Sequence, residues 1–447
     1  MGDSRPPAPA CAGARPWRRA FAWLAFLGPF FFASYGFATW VSAQRADVGS
    51  LVFAWERYVP LLPWTIVPYW LIDLLYGVSL FLCVTRRQLD THALRLLTTQ
   101  VLAVTCFLLA PLRCTFERGE VSGAFGWLFD LLTSFDQPFN QAPSLHIALL
   151  VVLLEPYLRA APRRWHGLVY VTALLIAASV MTTWQHHFFD LPTGAWLGCF
   201  VLWLLPSDAR PLLGRLRLVP DRKRRCLAAA YGGAGLLLGG MALALGGAGL
   251  WLLWAAASLA LLAVIYLAGD AEAFAKQPDG SLPCAVRCLL APYLAAAWLN
   301  SRWWTRHLAA VNEVAAGVAL GRLPSADQLP ALGVRCVVDL CAELPFPASG
   351  LHYASIPVLD LIPPTPGQIE RAVQAIDVAR RQGPVLVCCA LGLARSAVVL
   401  AAWLLHAGIA ASPAAAIAQV RAARPAVVLG VREVVLLEQW LDGRSAA

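Results

Sequence analysis

The chain has 447 residues, 59% hydrophobic and only 14% charged, and 35 Lys+Arg against 26 Asp+Glu give it a formal charge of +9. Its mean hydropathy of +0.63 lies outside the range of an ordinary soluble globule and excludes a disordered chain, a collagen or a small disulfide scaffold. Twelve cysteines are too dilute and irregular for a disulfide framework. A basic excess in so apolar a chain points to orientation in a membrane and away from nucleic acid.

Apolar runs recur near residues 21–43, 63–84, 96–112, 143–157, 166–184, 189–206, 226–246 and 249–268. They predict eight membrane helices. Each run approaches the roughly 20 residues that a bilayer core requires, with 96–112 and 143–157 at or below the lower bound of about 17. The first run ends in Val41-Ser42-Ala43-Gln44, which satisfies the small-residue rule of signal peptidase, but it is longer than a signal core of roughly 7–15 residues, so an uncleaved helix is expected. Seventeen basic residues, among them Arg5, Arg18, Arg86, Arg163, Arg210 and Lys223, precede the first run or follow the second, fourth and sixth. Four, Arg45, Arg57, Arg113 and Arg118, occupy the alternate loops. The positive-inside rule then places the N-terminus in the cytoplasm, and eight crossings bring the C-terminal half to the same side.

Residues 270–307 form a transition. The turn-rich Gln277-Pro-Asp-Gly-Ser281 leads into the apolar stretch Leu289 to Trp304, which reads as an interfacial or docking helix rather than a ninth span. Cys284 and Cys288 are spaced CxxxC, with no second ligand pair to complete a metal site. Beyond residue 306, strand-like runs (Val334 to Leu340, Val385 to Cys389) alternate with amphipathic stretches (Ile369 to Arg381, Pro413 to Ala423), as in a soluble α/β domain.

The most specific signal is Val385-Leu-Val-Cys-Cys389-Ala-Leu-Gly-Leu-Ala-Arg395-Ser396, a strand entering Cys-x5-Arg-Ser and then a helix. A loop between a strand end and a helix N-terminus aims successive N–H groups at one point, where a phosphate dianion can be held, and the same field favours a thiolate nucleophile at Cys389. The loop residues Ala390, Leu391, Gly392, Leu393 and Ala394 would cradle the phosphate, with Gly392 relieving the tight turn. Arg395 offers a planar fork that lysine lacks, and Ser396 can donate to the sulfur. With Leu320-Gly321-Arg322-Leu323-Pro324, the strand Val337-Val338-Asp339-Leu340 followed by Glu343, and Ile356-Pro357-Val358-Leu359-Asp360, residues 310–442 resemble the dual-specificity branch of the protein tyrosine phosphatases. The resemblance implies that Asp360 is the general acid. The family's histidine before the nucleophile is here Cys388.

Polar residues in apolar segments are costly and mark function. Two clusters stand out: Pro143-Ser144-Leu145-His146, and Ser179-Val-Met-Thr-Thr-Trp-Gln-His186-His187-Phe-Phe-Asp190. His186 and Asp190, four apart, share a helix face, where the carboxylate can orient the imidazole. Residues 60–206 resemble the type 2 phosphatidic acid phosphatases (PAP2), and among them the inositol phosphorylceramide synthase-like branch. That resemblance implies a phosphohistidine at His186, Asp190 as its orienting partner, His146 as acid to the leaving group, and Ser144, Arg113 and Arg118 as phosphate ligands. The usual Pro-Ser-Gly-His here has Leu145, the Ser-Arg opening reads Ser179-Val180, and the first motif survives only as Arg113 and Arg118-Gly119. Asp73 reads equally as a partner for a buried cation and as a packing group.

The expected architecture is an all-α polytopic membrane bundle followed by a soluble α/β phosphatase-like domain. Its segments are 1–60 with the first helix, 60–206 as the PAP2-like domain, 207–268 with two further helices, 269–309 as linker or interfacial segment, and 310–447 as the phosphatase-like domain. The expected protein is a bacterial inner-membrane phosphatase or phosphotransferase whose partners are the membrane and a phospholipid or lipid phosphate, with a phosphoprotein as the alternative substrate of the Cys389 site. No cofactor or metal is implied. The other readings are a phosphatase on a degenerate PAP2 anchor and a non-catalytic scaffold or transporter.

Overall fold

The computed structural model describes residues 15–207, 211–347 and 350–445, and the chain divides into Met1–Gly214 and Arg215–Ala447. Arg5 and Arg210, counted in the charge asymmetry, lie outside the described residues. The first unit contains α1 (Trp17–Ala43), α2 (Ile66–Leu82), α3 (Arg86–Leu109), α4 (Gly123–Thr133), α5 (Leu145–Ala160), α6 (His166–Thr182) and α7 (Asp190–Leu204). Helix α5 is its centre. It buries Leu145, Ile147, Ala148, Leu149, Leu150, Val152 and Leu153 and packs against α2, α3, α6 and α7. Glycine sets how close α7 comes: a Cβ on Gly194 would stand 2.4 Å from the Ser144 carbonyl oxygen, and one on Gly198 2.7 Å from that of Ala148. This small-xxx-small spacing allows backbone contact between apolar helices, and it brings the start of α7 beside the start of α5.

Six helical segments among the described residues are long and apolar enough to cross a membrane: Trp17–Ala43, Pro63–Leu82, Arg86–Leu109, Arg163–Thr182, Arg222–Leu245 and Gly247–Ala268. The expected count was eight. The runs 143–157 and 189–206 become α5 and α7, of 16 and 15 residues, about 23 Å of helix against a core of about 30 Å. Many of their apolar side chains are buried or half-buried against neighbouring helices.

In the second unit, α8 (Arg222–Leu245) and α9 (Leu252–Ala268) form a hairpin. Its turn uses Gly246 and Gly247, with φ of 59° and 46°, a region that glycine enters freely. At the other end Arg224 donates to the carbonyls of Ile265, Tyr266 and Gly269 at 3.0, 3.0 and 2.6 Å, closing the C-terminus of α9 with a cation. Helix α10 (Cys284–Trp304) follows, packed on α9.

The remainder is β1 (Val311–Ala315), β2 (Val318–Arg322), β3 (Cys336–Cys341), β4 (His352–Val358), α11 (Pro366–Arg380), β5 (Val385–Cys389), α12 (Arg395–His406), α13 (Pro413–Ala423) and α14 (Val431–Ser445). The sheet order is β1-β2-β5-β3-β4, antiparallel only between β1 and β2. Strands β3 and β5 are buried along their whole length, as parallel strands covered on both faces are. Segment 270–283 folds onto this sheet. The Lys276 side chain is fully buried, and its Nζ lies 2.6 Å from Asp339 Oδ2 and 2.7 Å from the Cys341 carbonyl, while Tyr353 donates to the same carboxylate at 2.7 Å. Burial works against the ammonium, but the Asp339 carboxylate more than compensates and holds Lys276 above its ordinary range.

Two stability predictions follow from these contacts. Gly198→Ala raises helix propensity, yet its methyl meets the Ala148 carbonyl, so thermal unfolding in detergent should show a loss of about 1–3 kcal/mol, whereas Gly36→Ala, with open space around it, should show none. Lys276→Met leaves Asp339 buried without its cation and should cost about 3–5 kcal/mol, read as a lowered melting temperature.

Candidate active site

Strand β5 delivers Cys389 to the sheet's C-terminal edge, and α12 begins six residues later at Arg395, as the Cys-x5-Arg spacing predicts. The intervening loop rests on the end of β2. Gly392 has φ 69°, and a Cβ there would lie 2.3 Å from the Gly321 carbonyl, so both the conformation and the contact require glycine. Loop carbonyls are engaged from outside: Ala390 accepts from Ser301 of α10, Leu391 from Arg424 at 3.5 Å and Leu393 from the Val428 amide at 2.8 Å. In a trans peptide the next N–H points the opposite way, so the Gly392 amide, which follows the engaged Leu391 carbonyl, turns inward. The Gly392 amide accordingly donates to Cys389 Sγ at 3.3 Å, and Ser396 Oγ donates to it at 3.1 Å.

Arg395 is buried and makes a two-pronged pair with Glu343, at 2.9 and 2.6 Å. It also donates to the Val358 carbonyl at 2.8 Å and to Asp360 Oδ1 at 2.9 Å. The two carboxylates respond differently. Burial raises Glu343, but Arg395 outweighs it and keeps the group below the usual carboxylate range. Burial also raises Asp360, the Arg395 charge pulls it down, Glu343 pushes it up, and the balance leaves it above its ordinary value, which suits a proton donor. Leu361, next along, has φ 60°, a backbone outlier of the kind found at functional sites.

Several residues in this shell escaped the sequence reading. Arg424 is buried, donating to the Ala309 carbonyl and to Asn312 as well as to the loop. Ser301 comes from α10, and Tyr266 of α9 donates to the Asp360 carbonyl at 2.9 Å. None stands at a fixed spacing from Cys389, and no local pattern marks them.

The helical bundle brings together four of its six expected residues. His186 Nδ1 lies 3.2 Å from Asp190 Oδ2, the His146 and His186 rings are 6.3 Å apart, and Ser144 donates its amide to the Asp190 carbonyl at 2.9 Å while capping α5 with its hydroxyl. Arg118 is stacked 4.1 Å over Phe129, and Arg113 is exposed. Neither bonds to His146, His186 or Asp190 among the described residues. His146 and His186 instead face a cavity of about 40 Å³ that Asp73, Asp136, Asn140 and Tyr69 also line. A second buried pair was missed: His187 Nδ1 lies 2.8 Å from Glu56 Oε2, and its Nε2 accepts from the Thr115 amide at 3.0 Å. Glu56 sits in a short loop turn more than a hundred residues away, so spacing gave no clue. Among the described residues no group of three or more His, Cys, Asp or Glu side chains is arranged to hold a metal.

Residues 320–440 match the family model described as "Dual specificity phosphatase, catalytic domain". Among solved structures, Tk-PTP in its active form is 26% identical over 30% of this chain and 98% of its own, with a TM-score of 0.28. Human DUSP28 is 28% identical over 31% and 96%, at 0.27, and PTPMT1 in complex with PI(5)P is 20% identical over 31% and 98%, at 0.29. The C-terminal part of the chain, residues 320–440, is therefore a dual specificity phosphatase catalytic domain, a phosphoric ester hydrolase preceded by helices long and apolar enough to cross a membrane.

Proposed function

We propose that the protein is a membrane-bound phosphatase whose Cys389 site hydrolyses phosphomonoesters at the bilayer surface, lipid headgroup phosphates in preference to phosphoproteins. The thiolate of Cys389 attacks phosphorus, forming an S–P bond as the bond to the leaving oxygen breaks, and Asp360 gives that oxygen its proton. Water, deprotonated by the Asp360 carboxylate, then attacks the phosphocysteine and releases phosphate, and Ser396 donates to the departing thiolate. Arg395 and the loop amides hold the equatorial oxygens throughout.

The lipid preference rests on one observation: the Asp360 loop is hydrogen-bonded to the α8–α9 hairpin, and both helices of that hairpin are apolar and long enough to span a bilayer. A phosphate anchored in the same membrane meets the site at a raised effective concentration. Arg222, Lys223 and Arg225 at the hairpin's basic end favour anionic lipid, and Trp298, Trp303 and Trp304 of α10 are exposed, as aromatic residues at a headgroup interface are. The charge asymmetry of the loops supports an orientation with this site on the cytoplasmic side, in what we take to be a bacterial inner membrane.

A second reaction, in the bundle, is supported by the convergence of His186, Asp190, His146 and Ser144. It is a PAP2-type phosphotransfer in which His186 Nε2 takes the phosphoryl group of a lipid phosphate ester and His146 protonates the leaving oxygen. The acceptor is water or a lipid hydroxyl.

Phosphate release from a panel of lipid phosphates and a phosphotyrosine peptide, by the full-length protein in detergent, tests both readings. Cys389→Ser should lower lipid phosphomonoesterase activity by roughly a thousandfold or more. Release from the peptide alone would reverse the preference, and activity surviving Cys389→Ser but lost in His186→Ala would belong to the bundle. The pH profile gives an independent check. Asp360 acts protonated, so turnover of alkyl phosphates should fall as pH rises through its raised pKa, and Asp360→Asn should flatten that limb and slow turnover by about a hundredfold.

A further inference from the structure

The catalytic acid is held from outside the segment 320–440. Tyr266, near the end of α9 and fully buried, donates its hydroxyl to the Asp360 carbonyl at 2.9 Å. Its ring lies 5.2 Å from that of Tyr231 in α8, which lies 6.3 Å from Tyr293 in α10. Three helices thus build an aromatic wall behind the acid loop. That loop needs a constraint, because Leu361 carries its side chain at φ 60°, a left-handed conformation unfavourable by about 1–2 kcal/mol, and Leu361 is exposed, so its side chain has little packing to hold it there. The Asp360 side chain is bound to Arg395 by a single contact, one that a phosphate entering the loop would compete for. Tyr266 grips the backbone and keeps its hold whatever the carboxyl does.

We propose that Tyr266 is a positioning residue for general-acid catalysis, and that the α8–α9 hairpin is in this way part of the active site. Its hydroxyl fixes the peptide of Asp360, so that the carboxyl, once exchanged from Arg395 to the leaving oxygen, stays within proton-transfer reach. Aryl and alkyl esters separate this role from general structural support. A nitrophenolate departs without a proton and an alkoxide does not, so misplacing the acid slows the alkyl ester selectively. The inference rests on Cys389 as nucleophile and Asp360 as acid.

The test is the ratio of kcat on glycerol 3-phosphate to kcat on p-nitrophenyl phosphate for the full-length protein in detergent. Tyr266→Phe keeps the ring and removes the hydroxyl, and the ratio should fall about tenfold, the equivalent of about 1.4 kcal/mol in the barrier, with KM for both esters unchanged. Turnover of the aryl ester reports the folded protein present, so partial misfolding cancels from the ratio. In an Asp360→Asn background, where there is no acid left to position, Tyr266→Phe should not lower the ratio further. An unchanged ratio, equal losses on both esters, or a further tenfold fall in the Asp360→Asn background each overturns the positioning role. Phosphate release that survives both Cys389→Ser and His186→Ala would instead remove the reading on which it rests.

Discussion

The phosphatase domain is organised around one buried guanidinium. Arg395, at the first turn of α12, holds Glu343 after β3, the carbonyl of Val358 at the end of β4, and Asp360 beyond it. Three segments distant in sequence thus meet on a single cation. Burying an ion pair is favourable only when its geometry is good and its remaining donors are satisfied, and the two-pronged contact with Glu343 meets that condition. The partners are unequal: the Glu343 side chain is 2% exposed and doubly bonded, while Asp360 is 27% exposed and held by one bond. An anion entering the loop competes with Asp360 rather than with Glu343. In the proposed mechanism, binding would free the acid while leaving the guanidinium anchored, so that recognition of phosphate and delivery of the proton share one exchange.

A different constraint organises the helical unit, where glycine substitutes for the hydrophobic drive that lipid does not supply. Gly194 and Gly198 let α7 touch the backbone of α5, and that contact sets Asp190 beside Ser144. The histidine site inherits its geometry from this seam, with His146 at the start of α5 and His186 just before α7. Its surroundings are acidic, with Asp73 and Asp136 lining the same cavity. Among the described residues neither loop arginine is hydrogen-bonded to it.

How much of this was legible in the sequence depended on how local each signal was. The strand, loop and helix around Cys389 occupy a dozen consecutive residues, and their order is enough to predict the cradle. His186 and Asp190, four apart, do meet, but across the turn before α7 rather than along the shared helix face that the spacing predicts, and helix α13 begins and ends where its amphipathic stretch does. Glu56, Ser301, Arg424 and Tyr266 were not legible, because each meets its partner only after the chain has folded and nothing near it in sequence announces the meeting. The number of spans is less legible for another reason. Apolarity has two origins, lipid and protein interior, and over 15 or 16 residues hydropathy alone does not separate them.

Lys276 carries one consequence for where the catalytic unit begins. It is one of only two lysines in the chain, it lies more than forty residues before the segment that matches the catalytic domain, and its ammonium neutralises Asp339 in the middle of the sheet. A protease cutting between Lys276 and β1 would release a fragment in which that buried carboxylate keeps the Tyr353 hydroxyl and the Cys341 amide but loses its cation. Tethered enzymes are often switched on by being clipped free of their anchors. Here a cut there would separate a buried charge from its partner, so the physical boundary of the catalytic unit lies before Lys276 rather than at residue 320.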